Sequence, residues 1–172
     1  FNIEMLFRML DGDKLGALSE NVFAPISEAS DKAFARKAAV AKDFRELITS
    51  LYTKKELTRF SGLGAKRYHV EGIKGGFTKE NLISIALNYG NEHGRQRLSN
   101  DFSEAQINQA LSYLTEADTK LLEAIWLTFD EKLWPDLAKL ERDFHAEAPA
   151  KVEPAPFEIN GIEVRGGYYP LK

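Results

Sequence analysis

The chain has 172 residues, of which 44% are hydrophobic and 28% charged, with a net charge of −3 and no cysteine. This length and composition fit one globular domain, or one domain with a small appendage. The absence of cysteine excludes disulfides, thiolate metal sites and cysteine nucleophiles, and no apolar stretch approaches the roughly 20 residues of a membrane span. The sequence begins at Phe1 in a helix-like pattern and ends at Lys172 after an extended-looking stretch, so we expect a piece of a longer protein.

The N-terminal part of the sequence predicts helices. Apolar residues recur at intervals of three and four, which predicts a short helix over residues 1–10 and a long one over about residues 25–52. Thr53 and Glu56 have the spacing of a capping box, in which each side chain bonds to the other's backbone amide. A further short helix is therefore expected to begin after Thr53.

The middle of the sequence changes pattern twice. Glycines and alternating polar residues predict a loop over residues 65–76, with a short strand at residues 68–70. Helical periodicity then returns over residues 78–89 and again over residues 91–98. Each of these two helices is predicted to begin at a threonine or asparagine whose side chain can cap it.

Two more helices are predicted after this. Ser103 and Gln106 form another capping box, and Thr115 can cap the last long helix. Pro135 should kink or restart that helix, because proline lacks the amide hydrogen and crowds the preceding turn. The acidic residues of this helix mostly alternate with its apolar stripe, so we expect them to form a solvated face. They are Glu123, Asp130, Glu131, Asp136, Glu141 and Asp143.

The C-terminal part predicts an extended segment and a β-hairpin. Three prolines over residues 147–156 favour an extended conformation. Asn160-Gly161 lies between two short apolar stretches, and this pair favours a type I′ turn because both turn residues need positive φ. The resulting register places Ile159 opposite Ile162 and sets two glutamates against each other.

Together these elements predict a mostly α fold. Residues 1–146 are expected to form a multi-helix domain. Residues 147–172 are expected to form an extended proline-rich segment and a small C-terminal β-hairpin, both packed on that domain.

No pattern in the sequence predicts catalysis. Residues 62–67 are glycine-rich and basic but do not match a phosphate-binding loop, so a helix stop is favoured over a phosphate contact. His69, His93 and His145 lack the spacing of metal ligands, and we predict neither a metal site nor a cofactor. We likewise predict that this chain has no enzymatic activity of its own.

Positive charge is concentrated in residues 54–97, which carry nine basic and four acidic side chains. The basic residues are interleaved with Phe60, Tyr68, Phe77 and Tyr89, a combination that suits DNA or RNA through phosphate neutralisation and base stacking. The alternative is that the aromatics belong to the core and the charges only solvate the surface. This alternative is favoured, because a net charge of +5 is below that of a strongly basic domain. The candidate nucleic-acid-binding residues are Lys54, Lys55, Arg59, Lys66, Arg67, Lys74, Arg95 and Arg97.

A second candidate patch joins the helix near residue 95 to the C-terminus. Gly166 and Gly167 allow close backbone approach, and Arg95 and Arg97 do not share one helix face. We predict that one arginine bonds to C-terminal backbone or to a helix-end carbonyl; a ligand or nucleic-acid site is the alternative. The candidate residues of this patch are Asn88, Asn91, Arg95, Arg97, Tyr168 and Tyr169.

Two stretches of the sequence resemble a known family. One is Ala86-Leu87-Asn88-Tyr89-Gly90-Asn91-Glu92-His93-Gly94-Arg95-Gln96-Arg97-Leu98. The other runs from Leu114-Thr115-Glu116-Ala117-Asp118 to Gly166-Gly167-Tyr168-Tyr169-Pro170-Leu171. Their order and spacing resemble a domain in the large polyvalent proteins of bacteriophages and related mobile elements, over roughly residues 75–172.

The resemblance implies a context rather than an activity. Such proteins are long strings of domains that travel in the virion and enter the host cytoplasm with the DNA. It implies a non-catalytic accessory module whose partners are neighbouring domains of the same protein, and it carries over no catalytic residue. Two alternatives stay open. One is a fragment of a virion-packaged polymerase or other nucleic-acid enzyme whose catalytic residues lie elsewhere. The other is a structural spacer.

Overall fold

The computed structural model describes residues 31–135, 138–139, 142 and 150–169. These residues are mostly α-helical and include a two-stranded antiparallel sheet, which confirms the predicted fold class. The helices are α1 (Asp31–Leu51), α2 (Lys54–Leu57), α3 (Lys79–Tyr89), α4 (Glu92–Asp101), α5 (Glu104–Ser112) and α6 (Glu116–Leu127), followed by a π-helical segment (Thr128–Leu133). The strands are β1 (Phe157–Ile159) and β2 (Ile162–Val164). The predicted helix over residues 1–10 and the start of the long helix near residue 25 lie outside the described residues.

The described residues fall into two compact units, divided in the sequence between Leu82 and Ile83. The first unit contains α1, α2 and the loop that follows them. The second contains α4 to α6, the π-helical segment and the hairpin. The proline-rich segment, from residue 150 on, belongs to the second unit as well.

The first unit packs around the end of α1. Phe44 and Ile48 are buried one turn apart on that helix, as its apolar periodicity predicts. Tyr52 and Phe60 are also buried, and their rings meet edge to face at a centroid distance of 4.9 Å. Between them α2 begins with the predicted capping box. The buried aromatic pair therefore holds α2 and the start of the next loop close to α1.

The predicted strand at residues 68–70 is absent from the structure. Tyr68 and Phe77 instead form a single antiparallel bridge, with N–H···O distances of 2.8 and 2.9 Å. Gly72, Gly75 and Gly76 all have positive φ and turn the chain back on itself within a few residues. Gly75 and Gly76 are not extended, and the amides of Ile73 and Gly76 bond within turns to the carbonyls of Val70 and Ile73, so the pairing stops after one bridge.

The helices of the second unit begin at side-chain caps. The Asn91 side chain accepts a hydrogen bond from the Gly94 amide at the start of α4, as the sequence predicts. Ser103 and Thr115 form the caps of α5 and α6, each as part of a capping box. α4 continues to Asp101 rather than ending near residue 98. These caps satisfy amide groups that would otherwise have no partner at a helix start.

The core of the second unit centres on α6. Trp126 is completely buried, and its indole N–H lies 3.4 Å from the carbonyl oxygen of Leu87 on α3. Buried aliphatic side chains from α3, α5, α6 and the hairpin complete this core. They include Ile85, Leu87, Ile107, Leu111, Leu121, Leu122, Ile125, Ile159 and Val164.

The end of α6 differs from the sequence prediction. A kink or restart is expected at Pro135, but the hydrogen-bonding pattern changes earlier, where residues 128–133 form a π-helix. A π-helical turn contains more residues than an α-helical one, so it changes which side chains face the core. Phe129 in this segment is buried. The predicted apolar stripe of this last helix also includes Leu137, Leu140 and Phe144, which lie outside the described residues.

The predicted hairpin is confirmed. Asn160 and Gly161 have φ of 51° and 83°, so both turn residues are left-handed. Ile159 pairs with Ile162, and the neighbouring pair sets two exposed glutamates against each other. The Asn160 side-chain amide donates to the carbonyl oxygens of Ser112 (3.1 Å) and Leu114 (2.8 Å), at the end of α5. The turn residue therefore also anchors the hairpin.

Candidate functional site

Gly90, between α3 and α4, receives the C-terminal segment. Its carbonyl oxygen accepts hydrogen bonds from the amides of Ala155 (2.9 Å) and Gly167 (2.7 Å). A Cβ atom at Gly90 would lie 2.6 Å from the Trp126 ring. Only glycine therefore leaves room for the Trp126 ring beside the backbone whose carbonyl binds Ala155 and Gly167. We call this meeting point of Gly90, Asn91 and Arg95 with Ala155 and Gly167 the C-terminal junction.

The neighbouring glycines make the same close approach. Gly166 has φ of +68°, and a Cβ there would lie 2.4 Å from the Gly90 oxygen. A Cβ at Gly167 would lie 2.8 Å from Trp126, and one at Gly94 would lie 1.9 Å from the Asn88 carbonyl oxygen. These positions have no room for a side chain, so the backbone itself is the packing surface.

Asn91 links the helix start to the junction. Its Oδ1 caps α4 through the Gly94 amide at 2.8 Å, and its Nδ2 donates to the Gly167 carbonyl at 3.1 Å. The residue is buried, and both polar ends of its side chain are bonded. This double use explains an asparagine here, since a buried amide group needs partners on both its oxygen and its nitrogen.

The prediction that one arginine bonds to C-terminal backbone or to a helix-end carbonyl is confirmed at Arg95, which does both. Its Nε donates to the Tyr89 carbonyl at 2.8 Å, and its Nη2 donates to the carbonyls of Ala155 (2.7 Å) and Pro156 (3.2 Å). The guanidinium also lies 4.6 Å from the centre of the Tyr89 ring and 5.9 Å from that of Phe157. These contacts engage Nε, Nη2 and the face of the guanidinium within the second unit.

The other candidates of this patch are not gathered into one site. Arg97 is exposed. Tyr168 and Tyr169 each pack edge to face on Phe129, at 6.2 and 6.1 Å, and burial raises the pKa of the Tyr168 phenol. Asn88 is buried and donates to the Ser84 carbonyl at 2.7 Å, while its Oδ1 has no partner among the described residues.

Asp130 corrects the expectation of a solvated acidic face. Its side chain is only 6% exposed, and it accepts from Lys151 at 3.2 Å and from Arg165 at 2.5 Å. Glu123 is engaged too, because its Oε1 accepts the Arg165 amide at 2.6 Å. Both acids thus hold the C-terminal segment. Glu131 is exposed as expected. The remaining acids of that set, Asp136, Glu141 and Asp143, lie outside the described residues.

Six of the eight candidate nucleic-acid-binding residues belong to the first unit, and all six are exposed. We call this stretch, residues 54–74, the basic segment. The six are Lys54, Lys55, Arg59, Lys66, Arg67 and Lys74. The other two, Arg95 and Arg97, belong to the second unit.

The aromatics expected beside these charges are mostly covered. Phe60 is buried against Tyr52, and Tyr89 lies under the Arg95 guanidinium. The Tyr68 ring has the Nζ atom of Lys66 at 4.8 Å and that of Lys79 at 5.2 Å. The charges are therefore presented to solvent, while the rings serve packing and cation–π contacts.

Metal-ligating side chains do not cluster in the part of the chain that the structure describes. No group of three or more histidine, cysteine or acidic residues there could hold a metal ion. His69 and His93 are both exposed, and His145 lies outside the described residues.

Among the described residues, every helix is too short or too polar to serve as a transmembrane span.

No family model matches the chain, and neither a curated protein nor a solved structure matches it.

Proposed function

We propose that this chain is a non-catalytic accessory module of a large polyvalent protein of phages or mobile elements, and that its basic segment binds nucleic acid. The observation that carries the binding proposal is the exposure of all six basic side chains of residues 54–74. The same stretch contains two acidic residues, Glu56 and Glu71. A surface with this excess of positive charge attracts polyanions.

One of these two acids caps a helix. The Glu56 carboxylate accepts hydrogen bonds from the Thr53 amide and hydroxyl, both at 2.7 Å. It is thus held at the N-terminus of α2, where a negative charge also balances the helix dipole. Lys54 and Lys55 lie on the same short helix and are exposed. Both lysines therefore extend into solvent from the helix that this cap starts.

The binding should be weak and independent of sequence. Exposed lysines and arginines contact phosphates, which are the same in every sequence. Phosphate contacts of this kind give dissociation constants of about 10⁻⁴ to 10⁻⁶ M at physiological salt. Arg95 is left out of the binding surface because its donors bond to backbone carbonyls within the second unit.

The test compares two triple variants of equal charge by fluorescence anisotropy with a labelled oligothymidylate. Arg59→Gln/Lys66→Gln/Arg67→Gln removes three charges from the basic segment. Lys42→Gln/Lys120→Gln/Lys132→Gln removes three exposed charges elsewhere. We expect the first variant to bind about tenfold more weakly at low salt and the control to bind like wild type. Equal losses in the two variants would mean that only net charge matters and would contradict a defined surface.

The polyvalent-protein context rests on the resemblance of two stretches of the sequence, and the glycines of these stretches are closely packed in the fold. Gly90 and Gly94 come from one resembling stretch, and Gly166 and Gly167 come from the other. All four meet neighbours at distances that exclude a side chain. The full-length gene product tests this context directly. We expect further domains on the same chain in a phage or mobile element; a gene for this chain alone in a cellular genome would contradict it.

A further inference from the structure

A loop within the basic segment has a fixed base. Phe60 is buried and anchors the chain just before the loop. The Lys66 amide donates to the Arg59 carbonyl at 3.1 Å, which closes the loop, and the Ala65 amide donates to the Gly62 carbonyl at 3.2 Å, which forms a turn inside it. The backbones of the two basic residues at the base, Arg59 and Lys66, are therefore held together.

The tip of this loop carries an apolar side chain that contacts little. Leu63 is 112% exposed, against 38% for Leu127 and 37% for Ile162, the other exposed large hydrophobic residues in the described part of the chain. A Cβ atom built on Gly62 or Gly64 would meet nothing within 4 Å. The loop tip is therefore open on both sides of the leucine.

The surroundings of Leu63 indicate what it meets. A single exposed leucine is ordinary on a protein surface. Here, however, it projects from a loop whose base carries Arg59 and Lys66, with Arg67 next in the chain, and all three are exposed. A partner that fits must offer negative charges with an accessible apolar surface between them. Single-stranded nucleic acid has this arrangement, because its phosphates flank unpaired bases.

We propose that Leu63 packs against unpaired nucleobases while Arg59, Lys66 and Arg67 contact the adjacent phosphates. This inference rests on the proposed nucleic-acid function and adds that the segment recognises bases as a class, not only the backbone. Leucine serves as an apolar wedge between bases in other nucleic-acid-binding proteins. Tyr68 is a poorer base contact, because two lysine ammonium groups already approach its ring.

An anionic lipid surface is the less favoured partner. Apolar anchoring of a protein in a bilayer depends on the amount of buried apolar surface. One leucine supplies little of it, and the neighbouring tip residues Gly62 and Gly64 add no apolar side chain.

The test compares the affinities of Leu63→Ala and wild type for two labelled probes, an oligothymidylate and an abasic oligonucleotide of the same length. We expect about fivefold weaker binding to oligothymidylate, since apolar contact area is lost, and unchanged binding to the abasic probe. The dependence on salt should not change, because no charge is removed. Leu127→Ala, a leucine of the second unit, is the matched control and should bind both probes like wild type. The thermal melting of Leu63→Ala should equal that of wild type, since the side chain has little to lose.

Three results would overturn the inference. The first is wild-type affinity of Leu63→Ala for oligothymidylate; the second is an equal loss on the abasic probe. The third is a loss of binding to phosphatidylserine vesicles without a loss on oligothymidylate, which would identify a lipid surface instead. In each case, weaker binding of Arg59→Gln/Lys66→Gln/Arg67→Gln to oligothymidylate would still support the proposed function. Failure of the Leu63 inference can therefore be told apart from failure of the nucleic-acid proposal.

Discussion

The Nη2 atom of Arg95 donates a 2.7 Å hydrogen bond to the carbonyl oxygen of Ala155, 60 positions later in the chain. The Nε atom of the same side chain bonds to Tyr89, at the end of α3. One guanidinium thus serves both a helix end and the proline-rich segment. A planar group with several donors in fixed directions can do this, whereas a lysine ammonium cannot match the geometry.

Replacing this side chain should destabilise the second unit. We expect Arg95→Ala to lower the free energy of unfolding by about 2 kcal/mol or more, because three backbone carbonyls lose a charged donor. Arg97→Ala, at an exposed position two residues away, is the control and should stay close to wild type. Urea denaturation of both variants provides the measurement. Unchanged stability in both, with partner binding lost, would make this patch a functional site instead.

Gly94 provides a test of the close approach between α3 and α4. We expect Gly94→Ala to destabilise the protein by about 2 kcal/mol or more, because the new methyl group would lie 1.9 Å from the Asn88 carbonyl oxygen. Gly64→Ala is the matched control, since its methyl group would meet nothing within 4 Å. Thermal unfolding followed by circular dichroism compares them. If Gly94→Ala melts at the wild-type temperature, Gly94 on α4 does not lie in close contact with the Asn88 carbonyl on α3.

Asp130 should contribute more than a surface ion pair. Asp130→Asn removes the negative charge that Lys151 and Arg165 share. We expect the free energy of unfolding to fall by about 1–3 kcal/mol. This is less than for a fully buried ion pair, because both cations are partly exposed. Glu116→Gln breaks the exposed pair with Lys120 and should leave the urea midpoint unchanged. Equal urea midpoints for the two variants would show that burial of Asp130 adds nothing.

The parts of the fold that the sequence predicts well depend on neighbours in the chain. The predicted capping boxes at Thr53 and Ser103 and the predicted cap at Thr115 each join residues three apart. The hairpin turn depends on two adjacent residues that tolerate positive φ, Asn160 and Gly161. Such signals need no knowledge of the rest of the molecule, so periodicity and turn chemistry are sufficient.

The parts that the sequence misses depend on distant partners. The sequence predicts Asp130 to be one of several solvated acids. Its partners Lys151 and Arg165 come much later in the chain, so local spacing does not indicate the ion pairs. The π-helical segment before Pro135 has no local signature beyond that proline. The prediction for Arg95 succeeds only in part: the type of bond is anticipated, but the choice of Arg95 over Arg97 needs the position of the C-terminal segment.

The most direct test of the nucleic-acid proposal is the salt dependence of wild-type binding to single-stranded DNA. We expect measurable binding at low salt and a linear fall of log affinity with log salt, with a slope of about −0.7 for each phosphate contacted. Three to six contacts by the exposed residues of the basic segment would give a slope between about −2 and −4. No binding at low salt, or binding that does not weaken as salt increases, would contradict the proposal and leave the basic segment as a solvated surface.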